Sequence, residues 1–345
     1  MNPPPETAPS SQPHRAQAVP LRRLFFNESE LRAGWRLLIF FAILMLTPDR
    51  VFFVHDTNQG ARQASSPEQH TPKAPAARYS ELSFPPEGFI VSDGLSFALL
   101  LCLTAFMSVI ERRPMRYYGL PLQQAFGGKF WMGCLWGFAA ISAFLLVLRA
   151  THSFYFGLPA IHGRTIIRFA VLWAIAFLLV GFLEEFLLRG YAQFTLTLGI
   201  GFWPAAFLLS LFFAFMHRTN PGETSFGLFE IVLIALFFCF TLWRTGNLWF
   251  AVGFHAAWDW SQSFFYGTPD SGLLAQGRLL HSSIAGPAWL NGGSAGPEGS
   301  VLVAPLIGFL FVLFYFAFPK RVPYPDPEAI KPARPSWAPQ KTLGI

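Results

Sequence analysis

Apolar runs of bilayer-crossing length constrain this chain more than any other feature. The stretch FAVLWAIAFLLVGFL, Phe169 to Leu183, carries no charge. A helix needs about 20 such residues to cross the hydrocarbon core, and about eight segments approach that length. They run Leu37–Val54, Phe89–Ile110, Phe130–Leu148, Phe169–Leu188, Phe202–His217, Phe226–Trp243, Leu248–Tyr266 and Val301–Phe318, the first interrupted by Pro48, Asp49 and Arg50. Composition agrees: 53% of residues are hydrophobic and only 13% charged, against about 25% charged in soluble domains. The expected fold is an all-α polytopic membrane protein with about eight transmembrane helices.

Charge placement sets the expected orientation. Arg22, Arg23, Arg32 and Arg36 precede the first run; Arg112, Arg113, Arg116 and Lys129 follow the second; Arg244 follows the sixth; Lys320, Arg321, Lys331 and Arg334 follow the last. With eight spans these share one side, which the positive-inside rule makes cytoplasmic. Arg149, Arg164 and Arg168 fall on the other side and weaken that bias without reversing it. Both termini are therefore expected in the cytoplasm of a multi-pass protein of the plasma (inner) membrane. The net charge of +6 is absorbed by this arrangement and gives no reason to expect a nucleic-acid partner. Residues 1–33 are Pro-rich and polar, lack the apolar core of a signal peptide, and read as a disordered tail. Residues 34–320 read as the transmembrane domain and 321–345 as a second disordered tail. The polar connections Asp56–Glu87 and Gly267–Ser300 read as exposed, mobile loops. Cys102, Cys134 and Cys239 lie inside apolar runs with no C-x-x-C spacing, which predicts small core residues.

Against this background GFLEEFLLRG, Gly181–Gly190, is costly. A charged side chain at a helix centre costs about 2.5–3.5 kcal/mol, so Glu184, Glu185 and Arg189 must face protein or water. Glu185 and Arg189 are four apart with the acid first, so they pair on one face. Glu184 is rotated by about 100° and finds Leu188 at i+4. One carboxylate is thus neutralised locally and one is left available as a general base. Phe213 and His217 are four apart in FAFMH, and His255 and Asp259 in FHAAWDW. Intramembrane ionisable groups are functional candidates by default. If the fourth helix continues past Arg189 to about Leu198, Glu184 lies roughly 20 Å from its cytoplasmic end. It then shares a layer with His217, His255 and Asp259. Asp93 and Glu230, nearer their run ends, read as interfacial.

The ordered set EEFLLR, FAFMH and HAAWD resembles the motifs E-E-x-x-x-R, F-x-x-x-H and H-x-x-x-N/D of the CPBP family of intramembrane proteases, which includes the CAAX prenyl endopeptidases and the bacterial Abi proteins. The resemblance covers about Phe169 to Tyr266, and ERRPMRYYGL resembles the basic turn before the family's core. It implies hydrolysis of a peptide bond in a membrane-associated protein or peptide, of CAAX type if the family name is followed. By position, Glu184 is the base that activates water, aided by His217. His255 and Asp259 take the positions that bind the scissile carbonyl oxygen, with Glu185, Arg189 and Phe213 in support. Eukaryotic relatives carry Asn at the last position. An ionised Asp cannot donate a hydrogen bond, so either Asp259 is protonated or it orients His255. Glu184, His217, His255 and Asp259 also offer a ligand set for zinc. The metal-free glutamate route, with no cofactor, is the preferred expectation. Two readings compete: a non-catalytic membrane binding or immunity protein, and a proton-coupled transporter using the same groups as a relay.

Overall fold

The computed structural model describes residues 25–27, 30–46 and 83–326. The expected N-terminal tail, the end of the first run, most of Asp56–Glu87 and the chain after Asp326 lie outside the described residues. Eight apolar helices follow in order: α1 (Ala33–Met45), α2 (Pro86–Glu111), α3 (Gly128–Ala150), α4 (Arg164–Ile200), α5 (Phe202–His217), α6 (Ser225–Thr245), α7 (Trp249–Asp259, continued by a π-helical stretch Trp260–Phe265) and α8 (Val303–Ala317). The only strands among the described residues are two-residue pairings. Helices α2, α3, α4 and α6 are long and apolar enough to cross a membrane. The others fall short of the about 20 residues of a full crossing. The expectations of eight full spans and of cytoplasmic termini remain expectations.

Large apolar side chains on the helix exteriors are left without protein cover, among them Val91 and Val109 on α2, Ile167 and Val171 on α4, and Phe309 and Phe316 on α8. That is the surface a chain presents to acyl chains rather than to water. Inside, one apolar cluster gathers around Phe40, Phe186 and Tyr191, and a second around Phe237, Phe250, Phe254 and Phe314. Of the three cysteines only Cys239 is buried; Cys134 is half-buried and Cys102 lies exposed on the apolar exterior of α2. The apolar run around Cys102 faces outward there, so hydrophobicity did not mean core.

Small residues set how α7 is seated. Atoms added at Cβ of Gly133 and Gly137 on α3 would fall 2.2 Å from the carbonyl oxygens of Phe250 and Phe254, and at Gly253 on α7 2.2 Å from that of Phe130. The two backbones are in direct contact, as in small-residue helix crossings of membrane proteins. Gly181 of α4 approaches Val252 and Ala256 from the other side. α7 is therefore held between α3 and α4, which aligns His255 with Glu184 and Glu185.

α4 continues past Arg189 to Ile200, but across a kink at Gly190. Its continuity is not purely α-helical: Leu187–Ala192 is a π-helical stretch, with Gly190 at φ −80° and ψ −114°. π-helical irregularities inside α-helices are frequent at functional sites. Beside this stretch, Glu111 at the end of α2 receives Arg36 at 2.8 Å and Arg113 at 3.7 Å and accepts a hydrogen bond from the Tyr191 hydroxyl. The basic turn is thus tied to the π-helical stretch.

Two segments depart from expectation. Gly267–Ser300 folds back over the helices instead of extending into solvent. Leu274–Ala275 pairs in parallel with Ser83–Phe84 and Ser283–Ile284 antiparallel with Phe154–Tyr155, while the Trp173 indole donates to the Gln276 carbonyl at 2.9 Å. Leu274, Ala275, Ile284 and Thr268 are buried. Its scattered apolar residues have no helical or strand period, so composition concealed a packed segment. Past the last helix, Tyr324 is 5% exposed, and its hydroxyl donates to the Arg189 carbonyl at 3.4 Å. The packed chain thus extends beyond the expected boundary at residue 320.

Candidate active site

Glu185 is fully buried, and its Oε1 accepts from Arg189 Nη1 at 2.9 Å and from His255 Nδ1 at 3.0 Å. The expected pair on α4 is present, with a second partner from α7. The Arg189 guanidinium carbon lies 5.2 Å from the Phe213 ring centroid and 5.5 Å from that of Phe238. Those two rings touch the two histidines. Phe213 meets His217 edge-on at 4.3 Å, and Phe238 stacks on His255 at 5.6 Å with 14° between planes. One buried ion pair therefore braces the supports of both imidazoles. Phe238 carries no motif letter and was not singled out from the sequence.

The ring nitrogens can be assigned from their partners. His217 Nδ1 lies 2.9 Å from the Phe213 carbonyl oxygen. A carbonyl only accepts, so Nδ1 carries the proton and Nε2 of a neutral ring is an acceptor. His255 Nδ1 donates to Glu185. Its Nε2 lies 3.6 Å from Glu184 Oε2 and 3.4 Å from Asp259 Oδ2. Glu184, His217, His255 and Asp259 line one cavity of about 600 Å³. The Glu184 side chain is 28% exposed. No hydrogen bond or ion pair joins Glu184 to His217 among the described residues. The two face the cavity without touching.

More carboxylates line the cavity than the sequence suggested. Asp93 and Glu230, expected at an interface, are buried in its wall, and Glu230 Oε1 accepts from the Ala304 amide at 3.1 Å. Asp270 and Glu298 come from the folded-back segment. Glu298 Oε1 accepts from the Trp258 indole at 3.1 Å and Oε2 from the Ser271 amide at 3.4 Å; Asp270 Oδ2 accepts from the Ser263 hydroxyl at 3.1 Å. Burial pushes the Asp270 carboxyl well above its usual range, and the nearby Asp259 and Glu298 charges add to this. Burial also raises Glu298 and Glu223. A loop of low hydropathy gives no signal that its acids end in a helical cavity, so no sequence pattern could have found them.

Residues 166–261 match the family model described as type II CAAX prenyl endopeptidase Rce1-like. The chain carries an Rce1-like domain. The match supports a CAAX protease assignment for this part of the chain. The Rce1-like domain opens in the first turn of α4 and closes in the π-helical stretch of α7, so it holds Glu184, Glu185, Arg189, Phe213, His217, His255 and Asp259. Asp93, Asp270 and Glu298 lie outside it. Comparison with curated proteins and with solved structures returned no match.

The brace has a measurable consequence. Arg189→Leu leaves Glu185 charged and fully buried without its cation. Breaking one partner of such a pair costs about 3–5 kcal/mol. We expect a lowered thermal midpoint for the Arg189→Leu protein in detergent, partly restored by adding Glu185→Leu, which removes the stranded charge.

Proposed function

We propose that the protein is an intramembrane endopeptidase in which Glu184 and His217 activate water against a peptide bond of a membrane-associated substrate. The observation that carries this is the shared cavity: an available carboxylate and an imidazole with its Nε2 lone pair free face one space without bonding to each other. A water there donates one hydrogen bond to Glu184 and one to His217 Nε2. As its oxygen attacks the carbonyl carbon, the proton passes to Glu184. The C–N bond then breaks, and Glu184 returns the proton to the leaving amine. His255, oriented through Nδ1 on Glu185, presents Nε2 where the carbonyl oxygen acquires charge, and in its protonated form donates to it. Asp259, beside that nitrogen, supports His255 rather than donating itself, since a carboxylate only accepts.

The ligand set for zinc gains less support from the geometry. A catalytic zinc needs three protein ligands converging on one point. Here His255 keeps Nε2 free, but among the described residues no three ligand atoms from Glu184, His217, His255 and Asp259 gather within 4.8 Å of one another. Among the described residues, the acidic and histidine atoms gathered within 4.8 Å of one another are those of Asp259, Asp270 and Glu298 instead. The proposed route therefore runs through protein groups. Ile231, Ile234, Phe238, Ile307 and Leu310 form an apolar side of the cavity, which suits a hydrophobic, membrane-borne peptide, a prenylated one included. The proposed location is the plasma membrane.

The test uses liposomes holding the full-length protein and two synthetic peptides, one with a prenylated C-terminal C-a-a-X tail and one identical but unprenylated. Mass spectrometry should show a C-terminal fragment with wild type and none with the His217→Ala/His255→Ala double variant. If neither peptide is cut, and the membrane peptides of cells expressing the two proteins do not differ, the reading is overturned.

A further inference from the structure

Glu230 is an acid in an otherwise apolar wall. It stands on the α6 face that carries Gly227, Ile231 and Ile234, spaced i−3, i+1 and i+4 around it, and all four line the cavity. Val303, Ile307 and Leu310 of α8 continue that side. Glu230 Oε1 accepts from the Ala304 amide at 3.1 Å. This amide is one of the N–H groups that the first turn of α8 leaves without a partner in its own helix. The bond ties α6 to α8 and spends one oxygen of the carboxylate.

That bond does not account for the charge. A glutamine oxygen would accept from the same amide without placing an ion in a membrane-spanning helix, where ionisable groups are functional candidates by default. Glu230 is 3% exposed, and its Oε2 has no hydrogen-bond partner among the described residues. A buried acceptor left open is costly. No lysine or arginine lines the cavity among the described residues, and Glu223 and Glu298, near enough to act on Glu230 by charge, are acids as well. The partner this oxygen calls for is a cationic donor, and the cavity wall supplies none.

We infer that Glu230 is a specificity-determining residue: with Ile231, Ile234, Ile307 and Leu310 it forms a subsite for a lysine or arginine side chain of the peptide substrate. Such a side chain matches both parts of the wall. Its apolar stem lies along the isoleucines and Leu310 while its charged head reaches the acid. A hard metal ion takes about six oxygen ligands, and this side of the cavity offers one carboxylate among aliphatic groups. Glu230 lies inside the Rce1-like domain but in none of EEFLLR, FAFMH and HAAWD. The inference deepens the peptidase reading and rests on it for the ligand being a peptide.

The test places lysine, norleucine or glutamate at each position in turn around the prenylated cysteine of the C-a-a-X peptide. Norleucine keeps the stem of lysine and lacks the ammonium. Binding to the full-length protein in liposomes is read by Trp fluorescence, with Trp258 in the cavity wall as reporter, and cleavage by mass spectrometry. At one position lysine should bind wild type about tenfold tighter than norleucine, as one charge-assisted hydrogen bond gives, and glutamate more weakly than either. Glu230→Gln, which keeps an acceptor for the Ala304 amide, should abolish the preference. Ile234→Lys should abolish it too, because an ammonium four residues on pairs with Glu230 from within; it carries the test if Glu230→Gln does not fold. Equal or absent binding of the lysine and norleucine peptides by wild type at every position overturns the inference. So does a lysine preference that survives in either variant. Cleavage without a lysine preference removes the subsite and leaves the peptidase reading standing. A Glu230-dependent preference in binding with no cleavage does the reverse.

Discussion

Glu184→Gln is expected to lower peptide cleavage by about 10²–10⁴-fold, the usual range for loss of a general base. Gln keeps the shape and hydrogen-bonding reach of the side chain but cannot accept the water proton and return it to the amine. Stability should stay within about 0.5 kcal/mol of wild type. Glu184 is partly exposed to the cavity and, among the described residues, makes no hydrogen bond, only the 3.6 Å approach of His255 Nε2. Loss of turnover without loss of thermal midpoint separates this residue from its neighbour. Glu185→Gln disturbs a fully buried carboxylate shared by Arg189 and His255, so activity and midpoint should fall together. A Glu184→Gln protein that cuts the prenylated peptide at the wild-type rate removes Glu184 from the mechanism.

The second large effect is at Gly253. Even a methyl group would lie 2.2 Å from the Phe130 carbonyl oxygen, and the obstacle is backbone that cannot rotate away. Gly253→Leu must push α3 and α7 apart, at about 3 kcal/mol or more. The same displacement carries His255, two residues on, away from Glu185. Misplacement of a catalytic group by about 1 Å costs roughly 100-fold in rate. Gly308→Ala in α8 is the control, because nothing lies within 4 Å of its added methyl. It should be neutral, or stabilising by up to about 1 kcal/mol through helix propensity. Thermal unfolding in detergent and the peptide assay read both variants. A Gly253→Leu protein with a wild-type midpoint contradicts the packing.

The sequence made the helices legible because membrane burial demands long uncharged runs, and YAQFTLTL carried α4 on beyond Arg189, but the kink at Gly190 was not foreseen. The Glu185–Arg189 pair followed from spacing alone. What it concealed has physical causes. The partner of His255 Nδ1 depends on how α7 rotates against α4, which the close approaches at Gly181 and Gly253 decide. Asp93 and Glu230 were read as interfacial because a single acid near the end of a run normally snorkels to water. Here Gly267–Ser300 closes over them, and that closure rests on long-range pairings with Phe84 and Phe154 that leave no local pattern. Tyr324 is another such case: one aromatic residue in a Pro-rich stretch, fixed only by its contact with a carbonyl far away in sequence.

That carbonyl belongs to the wide turn of α4, and the turn bears on how this chain is aligned with others. A π-helical bulge corresponds to one residue inserted into an α-helix. Upstream of it stand the two glutamates; downstream, Tyr191 stacks on Phe40 of α1 and bonds to Glu111 of α2. An α-helix in the same place, one residue shorter, would keep the glutamates facing α7 and everything after them facing as it does here, whereas an α-helix of equal length would turn that part by about 100°. A homologue lacking the bulge should therefore align with a one-residue gap at Arg189–Gly190, and ungapped matching past that point would pair buried positions with lipid-facing ones.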